Sequence, residues 1–62
     1  MKKAEDLNIG AKLECGGIQY RVNSTHPEKG IIILRNEKTK KVREFTFDHL
    51  NDTIAFGLTT IL

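Results

Sequence analysis

Residues 30–47 read G-I-I-I-L-R-N-E-K-T-K-K-V-R-E-F-T-F. The run Ile31-Ile32-Ile33-Leu34 is aliphatic, short and β-branched, which indicates strand rather than helix. Asn36 to Lys40 forms a polar reversal. From Val42 to Phe47 polar and apolar residues alternate, placing Phe45 and Phe47 inside and Glu44 and Thr46 outside. The stretch predicts a β-hairpin, and a lone hairpin is not stable in water. The rest of the chain must therefore supply strands that cover its apolar side.

Consecutive strand residues face opposite sides, so the four aliphatics cannot all enter one core. Either Ile31 and Ile33 lie inside or Ile32 and Leu34 do. The outward pair would form an exposed aliphatic patch of the kind that marks an interface.

The flanking sequence supplies the strands. Leu7, Ile9, Ala11, Leu13 and Cys15 fall on one phase of a period of two, which predicts an extended segment with one buried face. Gly16-Gly17 follows, a pair suited to the positive φ angles of a two-residue hairpin turn. The next strand places Ile18, Tyr20 and Val22 on one face. Thr25 to Gly30 reads as a turn, with Pro27 presetting φ and Gly30 taking a left-handed position. Asp48 is the expected cap of one helical turn over His49 to Asp52, with Leu50 inward. Ile54, Phe56 and Leu58 alternate in a last strand that reaches toward Leu62. No window shows a long helical stripe. The expected fold is all-β, a five-stranded small barrel with one helical turn before the last strand.

The 62 residues make a single domain, 1–62, with residues 1–6 expected as a loose tail. Such a short chain has a marginal core. Cys15 is the only cysteine, so an internal disulfide is excluded, and a lone thiol suits a reducing compartment. No apolar run is long enough to span a membrane as a helix. Lys2-Lys3 leads into Ala4-Glu5-Asp6 rather than an apolar stretch, which argues against a secretory signal. The expected location is cytoplasmic.

The order and length of the elements over residues 7–58 resemble the Src-homology-3-like small barrels. Gly17-Ile18-Gln19-Tyr20, the Gly-led strand Gly30 to Arg35, and Val42-Arg43-Glu44-Phe45 are loosely similar to the small barrels appended to transposases and integrases. Asn36-Glu37 stands where those barrels carry an Asp-Pro turn. The resemblance implies a nucleic-acid or nucleoprotein contact module of a mobile genetic element.

Catalysis is not expected. Cys15 is in phase with Leu13 and reads as a small buried hydrophobe. His26 and His49 lack the spacing of a metal site, and no phosphate-binding glycine motif is present. Neither a cofactor nor a small-molecule substrate is implied. The net charge of +2 says little, but its distribution is uneven. Arg35, Lys38, Lys40, Lys41 and Arg43 crowd around the single acid Glu37, and Arg21 lies on the outward phase of the neighbouring strand. These six cations are the candidate nucleic-acid contacts. The competing explanation is a solvated tip that guards against edge pairing. The alternative function is a protein-binding module, a homodimer or a phage- or plasmid-type adaptor or inhibitor of a larger protein. Its candidate surface is Ile32 and Leu34 as the outward pair, joined by Ile61 and Leu62.

Overall fold

Gly16 and Gly17 take φ angles of 59° and 81°, closing a two-residue turn in which Cys15 lies directly opposite Ile18. That turn joins β1 (Lys12–Cys15) to β2 (Ile18–His26) in the computed structural model, which describes residues 3–62. A 3-10 turn over Pro27–Lys29, ended by Gly30 at φ 69°, leads into β3 (Ile31–Asn36). β4 (Val42–Thr46) follows. Helix α1 (Phe47–Ala55) comes next, and β5 (Thr59–Ile61) ends the sheet.

All pairings are antiparallel, and the sheet order is β4-β3-β2-β1-β5. The structure is mostly sheet, as expected. β4 and β5 are its two edges, and no ladder joins them. α1 instead touches both.

The core lies on one face of the sheet under α1. Leu13, Ile32, Leu34, Leu50 and Val22 are its largest fully buried side chains, with Tyr20, Leu7, Phe47 and Ala4 around them. Burying an aliphatic side chain of this size stabilises a fold by about 1.5–3 kcal/mol. The inward pair of β3 is therefore Ile32 and Leu34, each 0% exposed. Ile31 and Ile33 occupy the outer phase and are half-buried. The reason is register: Leu34 pairs with the inward Val22, and Ile32 with Thr25 and the half-buried Phe45. Asn23 is an extra residue between Val22 and Ser24 and forms a bulge. It brings Thr25 onto the phase of Val22.

Three further expectations are corrected. The helical turn after β4 is a helix of nine residues, starting two residues earlier than expected. Its cap is Thr46 rather than Asp48: the Thr46 hydroxyl accepts from the His49 N–H at 3.0 Å. Phe47, Leu50 and Ile54 form its core stripe. Ile54, Phe56 and Leu58 are consequently not strand. Gly57 at φ 78° closes the helix, with Leu58 N–H bonded to Thr53 carbonyl and Gly57 N–H to Ile54 carbonyl, a Schellman ending. Only Thr59–Ile61 pairs as β5. Ile9, expected inside, is 70% exposed because regular β1 pairing begins only at Lys12.

The N-terminal segment also differs from a loose tail. Ala4–Asp6 form a 3-10 turn, and Ala4 is fully buried. The Asn51 side chain of α1 accepts from the Ala4 N–H at 2.7 Å and donates to Glu5 Oε1 at 2.7 Å. The remaining part of the expected tail, Met1 and Lys2, lies outside the described residues.

Candidate nucleic-acid interface

The outer face of the sheet carries a row of cations in direct cross-strand register. Lys12 on β1 lies opposite Arg21 on β2, Arg21 opposite Arg35 on β3, and Arg35 opposite Val42 on β4. Directly opposed residues share a face and have Cβ atoms about 5 Å apart. All four are exposed. Like charges placed this way repel, so the row works against stability.

One acid tempers it. Glu37 extends β3 past Asn36, and its N–H bonds the Gln19 carbonyl at 3.0 Å. Arg21 Nε donates to Glu37 Oε1 at 2.7 Å, and Arg21 Nη1 to the Gly10 carbonyl at 3.3 Å. The Glu37 carboxyl is held below its ordinary value, first by that Arg21 bond and then by the charges of Arg21, Lys40 and Lys12. Among the described residues, Arg21 is the only cation of the row in an ion pair.

The β3–β4 turn is built by Asn36. Its side-chain oxygen accepts from the N–H groups of Lys38 at 2.8 Å and Thr39 at 3.1 Å. Its carbonyl accepts from Lys40 N–H, and its own N–H donates to the Lys41 carbonyl, both at 2.8 Å. An Asn at this place supplies a local acceptor for turn amides. The reversal forces Lys40 to φ 67°, the only non-glycine residue at positive φ among those described. Lys38, Lys40 and Lys41 are all exposed on this tip.

Arg21 and Arg35 therefore lie in the row and Lys40, whose charge acts on Glu37, lies beside it, while Lys38 is exposed on the same tip and Lys41 faces Asn36, a partner of the inward Tyr20. Arg43 departs. It pairs with the inward Leu34, so it lies on the other phase at the β4 edge. Its guanidinium is 5.4 Å from the centre of the Phe45 ring. Phe45 meets Tyr20 edge-on and stacks with His49, so Arg43 ends an aromatic cluster that faces the helix. Lys12 is the member that sequence reasoning missed. Its signal was its even phase in an alternating strand, but its membership depends on the β1–β2 register.

The predicted protein interface is largely overturned. Ile32 and Leu34 are core residues and offer no surface. Ile61 is half-buried against the core, and only Leu62, at 64% exposed, is accessible. Cys15 is half-buried on β1 opposite Thr59. His26 lies near Ser24 and Glu28, and His49 against Phe45. Comparison with family models, curated proteins and solved structures finds no match to this chain.

Proposed function

We propose that this chain is a non-catalytic module that holds nucleic-acid phosphates along the outer face of its sheet. The observation that carries the reading is the register of Lys12, Arg21 and Arg35. Three cations in line across three strands repel one another, and an anionic partner relieves that repulsion. Lys38, Lys40 and Lys41 add exposed point charges at the adjoining tip, suited to phosphate oxygens. The strand order, with a helix before the last strand, is compatible with an open variant of the Src-homology-3-like barrel.

Binding of this kind is dominated by counterion release. Fluorescence anisotropy with a labelled duplex DNA and a labelled RNA over a salt series tests it. Affinity falls steeply with salt. Replacing Lys38, Lys40 and Lys41 together by Ala makes the slope of log K against log salt on duplex DNA shallower, by about 0.9 for each phosphate the variant no longer neutralises. Unchanged affinity and slope in the triple variant would remove the reading. A second reading, pairing between copies, rests on the open outer edge of β5 and the exposed Leu58 and Leu62 beside it. Light scattering over a concentration series distinguishes the two.

A further inference from the structure

We infer that the Glu37 carboxylate occupies a phosphate subsite of this surface, and that a phosphodiester oxygen takes its place on Arg21 when nucleic acid binds. The inference rests on the function proposed above and names what sits in its centre before the ligand arrives.

Glu37 is the only acid between Arg35 and Arg43. The charges that act on it come from Arg21 on β2, Lys40 in the turn and Lys12 on β1. Glu14, opposite Gln19 on the same face, is the nearest acid in the register. The Arg21 guanidinium is oriented by its second bond, to the Gly10 carbonyl, so its Nε–H stays aimed at one anion position. A carboxylate and a phosphate present similar oxygens to such a fork.

The pair is accessible from both sides. Glu37 borders an open groove with Ile18, Gln19 and Asn36, and Arg21 and Arg35 border a second with Gly10 and Asn23. The Arg21 and Glu37 side chains are 44% and 31% exposed. An exposed ion pair contributes little to stability, so its exchange for a phosphate contact has a small cost. Glu37 thus acts as an internal competitor. It lowers the repulsion in the free protein and weakens binding until a phosphate displaces it.

The test measures duplex DNA binding by anisotropy for the wild-type chain, Glu37→Gln, Arg21→Ala and the double variant. Glu44→Gln is the control for charge alone, since Glu44 is exposed on the same face opposite Ile33. Glu37→Gln should tighten binding by about 3- to 10-fold, and Glu44→Gln by less than about 2-fold. The gain should vanish when Arg21→Ala is added. Equal gains in both Gln variants, or a gain that survives Arg21→Ala, overturn the inference while leaving the proposed function standing. If the wild-type chain binds no nucleic acid, the proposed function falls, and the subsite is judged separately. Inorganic pyrophosphate is then titrated while the Arg21 Nε–H resonance is followed by NMR. A saturable shift in Glu37→Gln that exceeds the wild-type shift supports the subsite, and its absence overturns it.

Discussion

Glu5 and Glu37 each accept a 2.7 Å hydrogen bond, the first from the neutral amide of Asn51 and the second from the charged Nε of Arg21. Each carboxyl is held below the ordinary 4.5, in both cases chiefly by that bond. What stands behind the bond differs. At Glu5, the same Asn51 side chain takes the N–H of Ala4, 47 positions away in sequence, and the Ala4 side chain is fully buried. That corner fastens the N-terminal turn to the helix. At Glu37 the surroundings are exposed cations from two strands and a turn. The Glu5 bond thus ties into a buried anchor of the fold, whereas the Glu37 bond ties into an exposed cationic surface.

The largest effect comes from breaking the first corner. Asn51→Ala leaves the partly buried Ala4 N–H without its partner and costs about 1–3 kcal/mol, read from urea denaturation. Nucleic-acid affinity should not change. A parallel loss of affinity would show that the two corners are coupled and end the contrast. Thr46→Ala removes the cap of the helix that carries Asn51 and lowers stability by about 1 kcal/mol, measured the same way. Lys40→Gly sharpens the comparison by moving the two properties in opposite directions. Relief of the left-handed backbone raises stability by at most about 1 kcal/mol, while loss of a tip cation weakens binding.

The smallest effect is on the acid side. Both carboxyls have folded values below their unfolded ones, so their contribution is fully present above about pH 4.5. It is lost as pH falls through the lower folded values. Melting temperatures between pH 6 and 3 should therefore decline less steeply in Asn51→Ala, which removes the Glu5 share, and in Arg21→Ala, which removes that of Glu37. Curves parallel to wild type would show that neither bond persists in solution.

The features legible in the sequence are those set by neighbours in the chain. Gly16-Gly17, Gly30 and the run of β3 announce turns and strand through backbone chemistry alone. The tip lysines were visible as a local excess of charge. What stayed hidden depends on pairing at a distance. The inward pair of β3 follows from the β2 register, and that register shifts at the Asn23 bulge, which carries no strong residue signature. The cap at Thr46 was obscured because Phe47 continues the alternation of β4 while already belonging to the helix. A helix of nine residues is also shorter than the window needed to reveal a stripe. The docking of Ala4 needs Asn51, and the cationic row needs Lys12, a residue unremarkable until β1 lies beside β2.

The extra residue in β2 carries an implication for how this chain can vary in length. Before the bulge Tyr20 and Val22 point into the molecule, and after it the odd-numbered Thr25 takes up their phase. Excising Asn23 would only close the bulge, whereas adding one more residue beside it would turn Ser24 and His26 inward and expel Thr25, or else slide the β3 pairing by one and bring Ile31 and Ile33 in for Ile32 and Leu34. Single-codon insertions should thus be tolerated at residues 38–40 of the reversal and eliminated between residues 18 and 26, where the loss of the bulge residue is the change that keeps the faces.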